Sequence, residues 1–196
     1  MVRGPLARRS LLICLSALLG SFSSAAVILA QETGRRLKGV VTPGEHPVTA
    51  ALIAEHTSVP PDGHTRIGVL FEMGKGWHIY AEEPGDAGLP TKVTWNAPPA
   101  VSFGPLTWPK AQQFLDPGDI KTFGYSGAVT LYSKIAFVPL INPNDKYPDL
   151  PIHADVEWLA CKDLCVPGKA HLELTLPVSS KPQALSTYAQ LFQQTD

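Results

Sequence analysis

Apolar and polar positions alternate along most of the chain in short runs, each closed by Pro, Gly, Asn or Asp. Val48–His56 opens the series, and Arg66–Glu72 follows with Ile67, Val69 and Phe71 on one face. Trp77–Ala81 is short and aromatic, and 83–90 (EPGDAGLP) has the composition of a loop. Lys92–Trp95, Val101–Trp108, Ala128–Val138, Ile152–Ala160 and Ala170–Leu176 complete the set, with Pro/Gly/Asp-rich stretches at 115–119 and 142–151. Period-two runs at this spacing, without amphipathic helices between them, predict an antiparallel β-sandwich or barrel. Only 182–193 has helical spacing, with Leu185, Tyr188, Leu191 and Phe192 predicting a short closing helix.

The run 151–176 (PIHADVEWLACKDLCVPGKAHLELTL) specifies its own pairing. In one continuous strand Cys161 and Cys165 would be about 13 Å apart, beyond the ~7 Å reach of a disulfide. A bend at Lys162-Asp163-Leu164 sets them opposite each other, and every paired position then sums to 326. One face pairs Trp158 with Gly168, Val156 with Ala170, Ala154 with Leu172 and Ile152 with Leu174. The other pairs Glu157 with Lys169, Asp155 with His171 and His153 with Glu173. A one-residue slip scrambles both faces, so the pattern fixes the register. The cysteines share parity with the polar face and are expected at the hairpin tip, at least partly open to solvent.

Composition supports a packed, turn-rich domain. Pro (19) and Gly (16) occupy about one position in six of 196, hydrophobic residues make up 44%, and charged residues 17%. Lys+Arg (16) against Asp+Glu (17) gives no basic excess, which disfavours an electrostatic nucleic-acid binder. The N-terminus reads as an export signal: Arg3, Arg8 and Arg9, an apolar run from Leu11 to Leu19, then Ser23-Ser24-Ala25-Ala26. Cleavage is expected between Ala26 and Ala30, with a polar tail over 31–46, a sandwich over 47–180 and a short helix and tail over 181–196. Losing residues 1–26 removes those three arginines and no acid, leaving 13 basic against 17 acidic groups. It also removes Cys14, so an exported chain keeps Cys161 and Cys165 alone. It is not expected to be embedded in a membrane once the signal is gone.

Three readings of the pair compete. As a staple, a disulfide closing five residues removes about 2 kcal/mol of chain entropy against ~3 for fifteen. As a redox pair, a tightly turned, exposed disulfide is more often labile than structural. As a metal site, the thiols would need His153 or His171, but His171 lies about 20 Å along the strand from Cys165 and His153 is further from Cys161. Two thiolates leave zinc half-coordinated, so no metal is expected there. A thioredoxin-type Cys-x-x-Cys at a helix start is also absent.

Three segments carry a family likeness. Trp158-Leu-Ala-Cys161-Lys162-Asp163-Leu-Cys165-Val-Pro167 resembles the cysteine motif of the N-terminal domain of DsbD/ScsB-type thiol:disulfide interchange proteins. So do Gly76-Trp77-His78-Ile79-Tyr80 with 84–91 (PGDAGLPT), and Phe123-Gly124-Tyr125-Ser126-Gly127. The likeness spans about 47–177. Classical members space their cysteines more widely, which puts this chain nearer the ScsB-like branch.

The resemblance implies an all-β, immunoglobulin-like antiparallel sandwich in the periplasm, with a Cys161–Cys165 pair that cycles between dithiol and disulfide. By position, Cys165 matches the thiol that forms the mixed disulfide and Cys161 the resolving thiol. Trp77, His78 and Tyr80 occupy the place of aromatics beside the cysteines, although core packing is the expected role of Trp77. Phe123 and Tyr125 fall near a loop that covers the disulfide in the family. Lys162 would favour a thiolate and Asp163 oppose it, while Pro167 restrains the backbone beyond Cys165. The partners implied are thioredoxin-like periplasmic proteins and, for a chain ending at Asp196, a separate membrane electron donor. Exchange runs on the two sulfurs alone, so no cofactor is expected. The rival reading is a non-catalytic binding module for glycan or protein, using Trp77, Trp95 and Trp108 around a structural disulfide.

Overall fold

The structure, a computed structural model, describes residues 46–116, 118–138 and 149–193. The expected export signal, nearly all of the expected tail and the greater part of the 142–151 stretch lie outside the described residues. Ten strands are present among the described residues: β1 Val48–Ala54, β2 Gly63–Met73, β3 His78–Gly85, β4 Lys92–Asn96, β5 Val101–Thr107, β6 Gln112–Asp116, β7 Ile120–Ser126, β8 Ala128–Phe137, β9 Leu150–Cys161 and β10 Cys165–Leu176. They form two antiparallel sheets. One has the order β1-β2-β8-β5; the other runs β10-β9-β3-β7-β6, with β4 also paired to β9. Of the sandwich or barrel that the alternation predicts, the chain forms the sandwich, in the immunoglobulin-like form that the resemblance implies. Among the described residues no helix is long and apolar enough to cross a membrane.

The core lies between the sheets, where alternate residues of each strand face inward. Leu52, Ile67, Val69, Phe71, Leu131 and Ile135 come from one sheet, and Ile79, Ile152, Val156, Trp158 and Leu172 from the other. Phe71 meets Trp158 edge to face across the gap, ring centres 5.5 Å apart. The β9–β10 ladder has the predicted register throughout, from Cys161 opposite Cys165 to Leu150 opposite Leu176. Trp158 is buried, Glu157 stands opposite Lys169, and the indole of Trp158 fills the space where Gly168 has no side chain.

Three elements differ from the pattern-based expectation. β3 runs on through Glu83, Pro84 and Gly85 instead of ending at Ala81, because a bulge between Tyr80 and Gly85 accommodates the proline. The hairpin β6–β7 occupies a stretch with no clear alternation. The closing helix is a single 3-10 turn, Ala189–Gln193. Helix does not start at Pro182 because the backbone just after it is already engaged with the residues that follow β1: Thr57 N–H donates to the Ala184 carbonyl and Ser186 N–H to that of Glu55. The 3-10 turn puts Phe192 against Ile53 and Tyr132 in a second small cluster. Arg66 pairs with Glu55 and donates to the Phe192 carbonyl at 2.7 Å, tying this segment down.

The Trp158–Gly168 contact yields a stability prediction. A methyl group at Gly168 would sit inside the indole volume, so Gly168→Ala should cost about 1–3 kcal/mol through overpacking. Urea unfolding of the variant measures this, and an unchanged midpoint would contradict the close packing.

Candidate functional site

The site is the tip of the β9–β10 hairpin. Lys162, Asp163 and Leu164 make the turn, all three exposed, and Lys162 N–H donates to the Leu164 carbonyl at 3.1 Å. Cys161 and Cys165 form a disulfide, with Cα atoms 4.1 Å apart. Their surroundings differ. Cys161 ends an inner strand and is only 3% exposed, whereas Cys165 begins the edge strand β10 and is exposed.

The burial of Cys161 follows from its neighbour. His78 at the start of β3 is its cross-strand partner, so the imidazole and the sulfur side chain lie side by side on the outer face. His78 is itself 5% exposed. Its ring stacks on Phe114 of β6 at 4.4 Å and meets Tyr80 edge-on at 5.2 Å. Two glycines permit this crowding. A side chain at Gly124 would strike the Ile79 carbonyl, so β7 needs glycine there to reach β3. Gly88, at φ 99°, passes directly over the Tyr80 ring. Thr91 donates its hydroxyl to the Tyr80 carbonyl at 2.8 Å and holds the 86–90 loop down.

Burial holds the His78 imidazole below its ordinary range, opposed by the nearby Asp116 carboxylate, and its Nε2 is buried without a hydrogen-bond partner. Burial, then Asp116, also raises the Tyr80 phenol. The side chains packed beside Cys161 are therefore aromatic, with the Asp116 carboxylate nearby.

The structure brings some of the expected residues together and sends others elsewhere. Cys161, Cys165, His78, Lys162, Asp163 and Trp158 share the end of the hairpin and its neighbouring strand, and Tyr80 packs on His78. Pro167 is exposed on β10, opposite Leu159. The stem of Lys162 lies against Gly76 in the β2–β3 turn. Trp77 packs against the core. Tyr125 is buried and donates its hydroxyl to the Pro109 carbonyl at 2.7 Å; burial, then the Glu82 charge, pushes its phenol up to about 12. With Trp108, Phe123 and Glu82, Tyr125 lines an open groove of about 400 Å³. The residue laid over His78 is Phe114, which sequence reasoning missed. Its only signal was an aromatic in a stretch that otherwise reads as turn.

Of the tryptophans considered for ligand binding, Trp95 stacks on Phe103 at 5.3 Å and donates from Nε1 to Ser133 Oγ at 3.0 Å. Trp77 is core-packed, and Trp108 lines the groove. His153 and His171 lie eight and six positions down the hairpin from the sulfurs, away from the disulfide.

Fold and site together define a class: an immunoglobulin-like sandwich with a disulfide across a hairpin tip, one sulfur sheltered and one open. The chain belongs to the family described as thiol:disulfide interchange protein DsbD, N-terminal, which matches residues 49–177. Among solved structures it is similar to the N-terminal periplasmic domain of ScsB from Proteus mirabilis, at 18% identity and a TM-score of 0.55, covering 80% of this chain. The match spans 56% of that ScsB domain's length. Weaker likenesses, both at 14% identity and a TM-score of 0.34, are to two Neisseria meningitidis structures. One is the DsbD N-terminal domain in the reduced form, covering 68% of this chain and 89% of that one. The other is the complex between the DsbD and PilB N-terminal domains, covering 63% and 81%. No curated protein matches the chain.

Two predictions follow from the burial pattern. After mild reduction, iodoacetamide should label Cys165 faster than Cys161 by on the order of tenfold, because access governs the reaction. Peptide mass spectrometry reads the ratio, and equal labelling would contradict the asymmetry. The second concerns pH. An imidazole whose folded pKa lies below the ordinary 6.5 takes up its proton more readily in the unfolded chain. Its contribution is complete above that value and is lost as pH falls below it. His78→Phe should therefore lose less stability than the wild type between pH 7.5 and 5.5, measured as the difference in urea midpoints.

Proposed function

We propose that this domain carries out thiol–disulfide exchange in the periplasm, passing reducing equivalents through Cys161 and Cys165 to thioredoxin-like proteins. The observation that carries the reading is the exposure difference between the two sulfurs. In the reduced domain the Cys165 thiolate attacks a sulfur of the partner's disulfide, forming a mixed disulfide and releasing one partner thiolate. Cys161, sheltered behind Cys165, then attacks Cys165 Sγ, which frees the second partner thiolate and closes the Cys161–Cys165 bond. Two electrons have moved to the partner, and a donor dithiol restores the pair by the reverse steps. The remaining site residues support this chemistry. His78, Tyr80, Phe114 and Trp158 hold Cys161 in place, while Lys162, Asp163 and Pro167 shape the exposed rim that a partner meets.

A structural staple is the weaker reading, because the hairpin has little need of one. β9 and β10 pair along twelve residues each, with an apolar face packed into the core. Closing five residues at the tip adds only about 2 kcal/mol to such a ladder.

The test is to trap the intermediate. Cys161→Ala mixed with an oxidised thioredoxin-like partner should accumulate a covalent adduct through Cys165 on a non-reducing gel, because no resolving thiol remains. Cys165→Ala should give little. An adduct from Cys165→Ala alone reverses the roles. If neither variant forms one and the wild-type disulfide has a reduction potential below about −300 mV, the exchange reading is wrong.

A further inference from the structure

The outer face of the β9–β10 hairpin carries a second cluster, separate from the sulfurs. The register sets His153 opposite Glu173 and, in the next row, Asp155 opposite His171, which makes the two histidines diagonal neighbours. Their rings stack at 5.5 Å, inclined by 19°. One ligand atom each from His153, His171 and Glu173 lies within 4.8 Å of the other two.

We propose that His153, His171 and Glu173 bind a divalent late first-row transition-metal ion of the Zn²⁺ type. Three observations carry this. Glu173 Oε1 lies 3.7 Å from His153 Nδ1 and 3.7 Å from His171 Nε2. Ligands about 2.1 Å from a tetrahedral zinc stand roughly 3.4 Å apart, so both Glu173 separations need only a few tenths of an ångström of adjustment, and the two imidazoles offer ligand nitrogens within 4.8 Å of each other. His171 Nδ1 is bonded to Asp155 Oδ1 at 2.7 Å. A neutral imidazole donating its Nδ1 proton to that carboxylate keeps a lone pair on Nε2, the nitrogen that faces Glu173. This carboxylate–histidine arrangement orients metal-binding imidazoles. His153 Nδ1, finally, is buried and has no hydrogen-bond partner, although its ring is partly open. A metal ion would satisfy that lone pair.

The donor set selects the ion. Two imidazoles and one carboxylate suit zinc, copper or nickel, whereas magnesium and calcium prefer all-oxygen shells. On the other side of β9, β4 sets Asn96 beside His153 and Thr94 beside Asp155, and its lysine, Lys92, stands one row further on beside Glu157. Three protein ligands leave a fourth position open. The ligands come from both strands, so the ion would clamp the hairpin at the end remote from the disulfide.

The experiment uses the full chain without a polyhistidine tag, its disulfide oxidised so that no thiol competes. Zn²⁺ is titrated calorimetrically, with Mg²⁺ as the control ion. One equivalent should bind, be removed by EDTA and raise the melting temperature by mass action. His171→Ala and Glu173→Gln, both at exposed side chains, should each weaken binding by about tenfold or more while keeping the wild-type melting temperature in EDTA. Asp155→Asn should weaken it too, as a positioning change, and His64→Ala on β2 should leave it unchanged. Absence of saturable Zn²⁺ binding would overturn the proposal. So would wild-type affinity in both His171→Ala and Glu173→Gln, which places the ion elsewhere.

Discussion

The site depends on the register of one hairpin. β9 and β10 can slide past each other in principle, but a slip of one residue would turn His153, Asp155 and Glu157 into the core and Trp158 out of it. Burying those carboxylates unpaired costs several kcal/mol each. The Trp158 indole also fits only against a residue with no side chain, and Gly168 alone offers that along the facing segment. Both faces therefore pin the same alignment, and the opposition of Cys161 and Cys165 follows from it. No separate device brings the sulfurs together.

That alignment also explains why the two thiols are unequal. They are directly opposite each other, share a face and differ in one respect: Cys161 belongs to an inner strand and Cys165 to an edge strand. At the tip β9 has β3 on its other side, which supplies His78, and β6 supplies Phe114 over His78. β10 has no strand beyond it among the described residues. Strand order in the sheet thus assigns shelter to one sulfur and access to the other. Gly124 and Gly88 extend the effect, since only residues without a side chain let β7 and the 86–90 loop close around Ile79 and Tyr80.

What could be read from the chain tracks how far each feature rests on period-two alternation. The sandwich, the 326 register and the inward position of Trp158 were legible because apolar and polar residues separate cleanly on the two faces of 151–176. The β6–β7 hairpin was not. Phe114-Leu115-Asp116 has adjacent apolar residues, Leu115 is exposed, and Gly118-Asp119 reads as loop. Its position comes from tertiary fit to β3, which no local pattern encodes, and Phe114 was missed with it. The extension of β3 through Pro84 was hidden for the opposite reason: a local breaker was overridden by a bulge. The metal cluster was partly visible. The register already pairs His153 with Glu173 and Asp155 with His171, but the diagonal approach of the two imidazoles depends on side-chain rotamers that a period-two pattern does not encode.

A sandwich offers exchange chemistry fewer levers than a thioredoxin-type framework. There the reactive thiol sits at a helix start, where backbone N–H groups and the helix dipole stabilise the thiolate. Among the described residues the only helical element is the 3-10 turn Ala189–Gln193, packed on β8 in the other sheet. The nearest cation in sequence, Lys162, lays its stem along Gly76, and Asp163 beside it carries the opposite charge. Electrostatic activation is therefore a weak means of distinguishing the two sulfurs here. Access is the stronger one. Cys165 is exposed, whereas Cys161 lies beside the packed group of His78, Tyr80 and Phe114. Selectivity by access has a further consequence: it persists when salt changes, because packing, unlike a surface charge, is not screened.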